Sequence, residues 1–420
     1  MSQAFLFIRD SRTTQEYRVP IQRNAVLATA FREIRGPSSS GNRAERLDSG
    51  LRIHDPGLMN TSVVDTAVSY ADGERDVLLF RGYSLEQLWQ SDYEDMVHLL
   101  VFAKYPTPVQ RESLRRALMA AMLEVPKSVF DVVSGFPSGS PPMPVVIGGL
   151  AAYLGSNPEM LPASNGANIY QGDLDKSEKA IIRTIAAYAV VVGMAACHRR
   201  GLDFTAPLLD YNFIENLFHM SGMLDELTGR PDGMKVSCFR RFAALNMDHG
   251  MALAVFSTMV TASSLTDPIS CLVASLAAAY GPLHFGATEA AHLNLRSIGD
   301  KSKVPDYISD LKNGKKRLFG YGHRTYKGSD PRVRPIKDLI EDSGANSDPM
   351  VEIAREVERL ASNDEYFTSR GLHPNADFYG NFVFTAVGFQ TEFIPIAMIS
   401  QRMLGIIAHW REALGDSTDT

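Results

Sequence analysis

The chain has 420 residues, 45% hydrophobic and 21% charged, values that exclude a disordered chain and a collagen-like repeat. Its 42 Lys and Arg against 48 Asp and Glu give a formal charge of −6, so no general attraction to nucleic acid or to an anionic membrane is expected. The cysteines Cys197, Cys238 and Cys271 are far apart, which predicts neither a disulfide framework nor a metal cluster and favours a reducing compartment.

The N-terminal segment predicts two short strands, at the apolar groups Phe5 to Ile8 and Tyr17 to Ile21. Arginines in the first 23 residues raise the alternative of a mitochondrial transit peptide, but Asp10 and Glu16 are unusual in such a leader. Residues 417–420 match no peroxisomal or retention signal. The cytoplasm is therefore the expected compartment, with mitochondrial targeting kept as the alternative.

Helical patterning dominates the rest of the chain and predicts a mostly α protein. Runs rich in Ala, Leu and Met predict helices at Glu112 to Leu123, Lys179 to Cys197, Phe213 to Leu227, Leu253 to Ser264, Pro268 to Ala279 and Phe393 to Leu414. Ser, Pro, Gly and Asn cluster at 36–42, 135–144 and 155–172, which predicts loops there. Because Arg183 and Thr184 interrupt the apolar run from Ala180 to Cys197, that run predicts a buried helix rather than a membrane span.

A first candidate for chemistry is His284, in the tight loop Gly281-Pro282-Leu283-His284 that ends a helix capped by Asp267. A second helix, beginning near Ala287, would point its N-terminal dipole toward the imidazole and favour its neutral form. A neutral imidazole can donate a hydrogen bond to a developing oxyanion. The structural alternative is a loop histidine bonded to a backbone carbonyl.

A second candidate is His323, because Gly320 and Gly322 just before it permit backbone turns that bring His323 and nearby amides close to a ligand. Basic residues concentrate around it and suit a phosphate-bearing ligand, or alternatively form a solvated basic loop: Lys315, Lys316, Arg317, Arg324 and Lys327. Asp330-Pro331-Arg332 then predicts the start of a helix with Asp330 as its cap. Arg332 in that first turn could hold a carboxylate.

Three further residues complete the candidates. Asp377 precedes an apolar helix, and its structural alternative is the N-cap of that helix. Arg402 lies inside an apolar segment, where a buried cation needs an anionic partner. His249 follows Asp248, and its alternative is a core histidine paired with that carboxylate.

The order and spacing of four motifs resemble the citrate synthase family: G-P-L-H at 281–284, G-Y-G-H at 320–323, D-P-R at 330–332 and P-N-A-D at 374–377. The resemblance extends from Asp72 to Glu412, and within the family it is greatest to the fungal citrate-synthase-like proteins. It implies a large helical domain of residues 1–285 and 389–420, a smaller domain of residues 286–388 that closes over the site, and a homodimer.

The resemblance also implies a reaction, in which an acyl-CoA is deprotonated, its enol attacks the ketone of oxaloacetate, and hydrolysis of the thioester releases CoA. By this resemblance Asp377 is the base, His284 hydrogen-bonds the thioester oxygen, and His323 polarises the ketone. The residues implied to hold oxaloacetate are His249, Arg332 and Arg402, and the basic surface for CoA is Lys315, Lys316, Arg324 and Lys327. Neither a metal nor a permanently bound cofactor is implied.

Several positions depart from the family pattern. Phe285 stands where glycine is common, Thr288 where asparagine is frequent, and Asn246 and Ala252 replace a histidine and an asparagine. These changes favour an alkylcitrate synthase that uses a longer acyl-CoA. A citrate or 2-methylcitrate synthase of primary metabolism is an alternative. A silent homologue that serves as a binding or assembly partner is another, because the sequence reaches Thr420 without the C-terminal arginine that the family directs to the partner subunit.

Overall fold

The structure is a computed structural model that describes residues 4–36, 50–58, 60–166 and 168–415. The chain forms two compact units, Met1–Asp65 and Thr66–Thr420. In the first unit, strands β1 (Ala4–Arg9) and β2 (Glu16–Ile21) pair antiparallel, with Ala4 opposite Ile21. These are the two strands that the sequence predicts. All of the predicted loop at 36–42 except Gly36 lies outside the described residues.

The second unit begins with a small antiparallel sheet of β3 (Ser69–Asp72), β4 (Val77–Phe80) and β5 (Tyr83–Ser84). The remaining elements of its described residues are helices: α1 (Leu85–Leu88), α2 (Tyr93–Phe102), α3 (Pro108–Leu123), α4 (Lys127–Ser134), α5 (Pro142–Gly155), α6 (Leu174–Arg200), α7 (Phe213–Met220), α8 (Gly233–Asn246), α9 (Leu253–Ala262), α10 (Pro268–Ala279), α11 (Gly286–Ile298), α12 (Val304–Lys312), α13 (Val333–Asp342), α14 (Pro349–Ser362), α15 (Glu365–Thr368), α16 (Ala376–Ala386) and α17 (Ile394–Ala413). Short 3₁₀ turns join several of them. The prediction of a mostly α protein is confirmed.

Helices α6 and α17 form the centre of the second unit. The most apolar window of α6 is 89% buried and that of α17 is 100% buried. Both helices are long and apolar enough to cross a membrane by composition alone, yet here they pack against other helices. The hydroxyl of Tyr188 on α6 donates to the carbonyl of Ile396 on α17 at 2.8 Å. The prediction of a buried helix for the apolar run in α6 is confirmed.

Helices α11 and α16 lie side by side and run in the same direction. Two pairs of polar side chains join them, Thr288 to Asp377 and His292 to Asn381, and both pairs are 89 positions apart in the sequence. The second pair lies four residues, or about one turn, further along each helix than the first. The two hydrogen bonds therefore fix the register between α11 and α16. This helix pair carries Asp377 at its N-terminal end. The predicted division at 286–388 stays a prediction.

Candidate active site

His284 lies in the turn between α10 and α11, and a neighbouring helix sets its protonation. The amide of Ala254, in the first turn of α9, donates to Nε2 of His284 at 3.2 Å. Nε2 therefore has no proton, and Nδ1 carries it as a donor. Burial, and then the charge of Arg402, lower the pKa of His284 to about 4. The imidazole is neutral as expected, and the amide that donates to it belongs to the first turn of α9.

His323 is held in the complementary tautomer by its own loop. The amides of Thr325 and Tyr326 donate to Nδ1 of His323 at 3.1 and 3.3 Å. Nδ1 is therefore the acceptor, and Nε2–H is the free donor. Burial, and then the charge of Arg332, lower the pKa of His323 to about 4. Like His284, this residue can therefore donate a hydrogen bond while its imidazole is uncharged.

Gly320 lets the loop of His323 reach the start of α16. Its φ is +79°, and a Cβ there would lie 2.7 Å from the Cα of Phe378. The carbonyl of Gly320 accepts from the amide of Asn375 at 2.9 Å, and the amide of Gly322 donates to the carbonyl of His373 at 2.8 Å. The two segments are thus joined by backbone hydrogen bonds just before Asp377.

His249 packs against His323 rather than pairing with Asp248. The ring centroids of the two histidines are 4.9 Å apart, and Nε2 of His249 is 3.1 Å from the hydroxyl of Tyr326. Burial, followed by the charge of Arg332, lowers the pKa of His249 well below its usual range. The carboxylate of Asp248 is instead 3.3 Å from Nε2 of His409 on α17. The core-pairing alternative for His249 is therefore wrong.

Asp377 lies in the first turn of α16, and Asn375 takes the capping role. The side chain of Asn375 accepts from the amide of Asp377 at 2.9 Å. The hydroxyl of Thr288 donates to Oδ1 of Asp377 at 2.6 Å. Burial raises the pKa of Asp377, opposed by the Thr288 hydrogen bond. The capping alternative for Asp377 is therefore wrong, and its carboxylate is available for another role.

Arg332 is anchored by Asp330 in a two-pronged ion pair. Nε and Nη2 of the buried arginine donate to the two carboxylate oxygens at 2.9 and 2.7 Å. Oδ2 of Asp330 also accepts from the amide of Ala376 at 3.0 Å, which joins the pair to the start of α16. The predicted cap differs here, because α13 begins at Val333 and Arg332 itself occupies the N-cap position.

Arg402 is the common neighbour of the other groups. Its charge contributes to the lowered pKa of His249, His284 and His323, and it also opposes the raised pKa of Asp377. The side chain is 4% exposed, lies 5.1 Å from the ring centroid of Phe285, and donates through Nε to the carbonyl of Asn246. Among the described residues no carboxylate lies within ion-pair distance of it. Burial lowers the pKa of Arg402 to about 10.

The basic residues predicted for CoA divide into two groups. Lys315 and Lys316 are exposed and lie 3.5 and 3.7 Å from Asp310 on α12. Lys327 is exposed, and its charge contributes to the lowered pKa of His323. Arg324 is also exposed, in the same loop. Across the described part of the chain, no group of three His, Cys, Asp or Glu side chains could hold a metal ion.

The sequence did not reveal the residues that position the predicted site side chains. Tyr326 contacts both His249 and His323, and its place three residues after His323 was the available signal. Asp330 was recognised, but as a helix cap rather than as the anchor of Arg332. Nothing in the sequence marks the amide of Ala254 as the partner of His284, because thirty residues separate them.

Together, the carboxylate, the two imidazoles and the two arginines can accept a proton from carbon, hydrogen-bond two developing oxyanions and hold an anion. This is the chemistry of a condensing enzyme.

The family model described as citrate synthase, C-terminal domain, matches residues 57–419. Alkylcitrate synthase phiJ from Fungal sp. is 44% identical over 98% of this chain and 91% of its own. Alkylcitrate synthase tstJ from Talaromyces stipitatus is 41% identical over 99% and 92%.

Solved structures agree on the fold. The citrate synthase from Pyrobaculum aerophilum matches with a TM-score of 0.77 at 28% identity, over 86% of this chain and 89% of that one. The chain therefore belongs to the citrate synthase family. It is a citrate synthase-type enzyme, and fungal alkylcitrate synthases are among its relatives.

Proposed function

We propose that this enzyme condenses an acyl-CoA with oxaloacetate through an enol intermediate and hydrolyses the thioester to give an alkylcitrate and free CoA. The observation that carries the proposal is the pair of neutral histidines with opposite tautomers, His284 with a free Nδ1–H and His323 with a free Nε2–H. Two carbonyl oxygens gain negative charge in this reaction, one on each substrate. Each requires its own hydrogen-bond donor.

Deprotonation of the acyl group requires a base beside a donor. Asp377 would take a proton from the carbon next to the thioester, while Nδ1–H of His284 hydrogen-bonds the thioester oxygen as the enol forms. A neutral imidazole suits this role, since its pKa of about 4 keeps it uncharged at neutral pH. Positioned donors of this kind accelerate acyl chemistry by about 10²–10³-fold each.

Oxaloacetate brings two carboxylates and a ketone. Arg402 supports binding of a carboxylate, because it is buried and has no carboxylate partner among the described residues. Arg332 and His249 would contact the same substrate, and Nε2–H of His323 would polarise the ketone and protonate its oxygen after attack. Water then hydrolyses the CoA thioester of the product, which makes the sequence irreversible.

The CoA co-substrate would lie along the exposed basic residues of the same loop region. Lys327 and Arg324 are preferred over Lys315 and Lys316, because both lie in the loop of His323 and the charge of Lys327 contributes to the lowered pKa of that histidine. Substitution of Lys327 or Arg324 should raise the KM for acyl-CoA more than it lowers kcat.

We also propose that the enzyme is a homodimer and that it is cytoplasmic.

The relatives named alkylcitrate synthases support a longer acyl chain, whereas relatives named citrate synthases, at 32% identity, support acetyl-CoA. The test is release of CoA thiol with oxaloacetate and acyl-CoAs of increasing chain length, with the product identified by mass. We expect greater kcat/KM for a longer acyl-CoA than for acetyl-CoA. Preference for acetyl-CoA would assign a citrate synthase, and no release with any acyl-CoA would refute the enzymatic proposal.

A further inference from the structure

Thr288 contacts the carboxylate of Asp377 from the neighbouring helix. Its hydroxyl is fully buried and lies 2.6 Å from Oδ1 of Asp377. The sulfur of Met398, at 3.9 Å, is its other acceptor, and a thioether accepts weakly. The proton of the hydroxyl therefore points to the carboxylate. Among the described residues no hydrogen-bond donor contacts Oδ2 of Asp377.

We propose that Thr288 is a positioning residue that occupies Oδ1 of Asp377 and leaves Oδ2 as the oxygen that accepts the substrate proton. The inference rests on the proposed function, since it concerns the base of that reaction. A carboxylate has two oxygens with similar basicity, and a donor on one of them fixes the rotation of the group. The C–H bond of the substrate breaks, its electron pair forms the carbon–carbon double bond of an enolate whose oxygen is hydrogen-bonded by Nδ1–H of His284, and its proton goes to Oδ2.

The surrounding contacts keep Thr288 and Asp377 in register. One turn further along the same two helices, Nδ1 of His292 is 3.0 Å from the side-chain oxygen of Asn381. Asn375 accepts from the amide of Asp377 and so fixes the backbone at the start of α16. The His292–Asn381 pair lies on two helices, which hold a catalytic group more firmly than loops do, and Asn375 is the N-cap of the second helix.

The charged groups that influence the pKa of Asp377 lie outside α16. Thr288 also influences this pKa, but through a hydrogen bond from an uncharged hydroxyl. Arg332 at the start of α13 and Arg402 on α17 favour the carboxylate, while Asp330 disfavours it. Thr288 donates to the ionised form and so favours the carboxylate as well. Removal of this hydroxyl should raise the pKa of Asp377, because the arginines and Asp330 stay in place.

Two variants separate the hydroxyl from the methyl group. Thr288→Val keeps the volume and removes the donor, and Thr288→Ser keeps the donor and removes the methyl. In T288V we expect the acid limb of the kcat profile to move up by about one pH unit and the plateau kcat to fall about tenfold, with KM for oxaloacetate little changed. T288S should keep the wild-type pH profile. The matched control is Thr184→Val, because Thr184 is a buried threonine whose hydroxyl donates to a carbonyl within α6.

Each outcome of this comparison decides the inference. A shifted acid limb in T288V, with wild-type profiles in T288S and T184V, supports it. An unshifted limb in an active T288V, or a T288S profile that moves with that of T288V, overturns the inference and leaves the proposed function standing. A T288V that fails to fold while T288S folds and shows a shifted limb also overturns it. An inactive wild-type enzyme overturns the proposed function, and the inference with it.

Discussion

The amide nitrogen of Ala254 donates to Nε2 of His284, and this one contact at 3.2 Å decides which nitrogen of the imidazole can serve a substrate. The donor belongs to the first turn of α9, where backbone amides have no partner within the helix. His284 thereby gains a fixed tautomer without a charged neighbour in hydrogen-bond contact. A neutral donor stabilises a developing oxyanion without binding anions in general.

The first prediction concerns this tautomer. In ¹⁵N NMR spectra of histidine-labelled enzyme, Nε2 of His284 should have the shift of an unprotonated nitrogen and Nδ1 that of a protonated one. Because burial lowers the pKa of His284 to about 4, the shifts should stay constant between about pH 6 and pH 8. The signal is assigned by its loss in His284→Asn. A midpoint near pH 6.5, or the opposite tautomer, would contradict the assignment.

The second prediction concerns the buried ion pair of Asp330 with Arg332. Asp330→Asn leaves a buried arginine without its carboxylate and should lower the free energy of unfolding by about 3–5 kcal/mol at pH 7. The exposed pair of Lys127 with Asp131 supplies the control, since Asp131→Asn should change it by less than about 1 kcal/mol. Denaturant melts of both variants measure the difference.

The same pair predicts a dependence on pH. The adjacent Arg332 holds the pKa of Asp330 at about 2, below the value of about 3.9 in an unfolded chain. A lowered pKa contributes stability above the unfolded value, and this contribution is lost as the pH falls toward 2. The stability difference between wild type and D330N should therefore be full at pH 6 and shrink below about pH 4. A constant difference down to pH 3 would argue against the ion pair as its source.

The third prediction concerns Gly320. Gly320→Ala forces a Cβ against the backbone of Phe378 and should displace the loop of His323, with a fall in kcat of about 10²-fold and a loss of stability. Gly314 also has a positive φ, but its surroundings are open. Gly314→Ala should cost only about 1 kcal/mol and spare kcat. Equal effects of the two variants on kcat would show that the close approach to Phe378 is unimportant.

Local signals in the sequence predicted much of the helical framework. Helix α10 begins at Pro268 after the cap Asp267 and ends at Ala279, as its punctuation indicates. Helix α7 ends at Met220 rather than at Leu227, because Gly222 takes a positive φ of +65°. A glycine inside an apolar run does not by itself reveal a turn, so this end was not predictable.

The site was predicted as a set of residues, and the structure adds the contacts between them. A pattern along the chain can mark His249 and Asp248 as neighbours, but it cannot reveal that His409, from the last helix, takes the carboxylate. Asn375, rather than Asp377, proved to be the cap of α16 through a contact two residues apart, and Asn and Asp are both favoured as N-caps. Tautomers depend on long-range donors such as the amide of Ala254, and one sequence does not contain that information.

The most direct test of the central claim compares wild type with Asp377→Asn in one assay of CoA thiol release. Wild type should release CoA from an acyl-CoA only when oxaloacetate is present. D377N should lose at least about 10³-fold in kcat with an unchanged melting temperature, because the amide cannot accept the proton from carbon. Release by D377N at the wild-type rate, or no oxaloacetate-dependent release by wild type with any acyl-CoA, would contradict the claim.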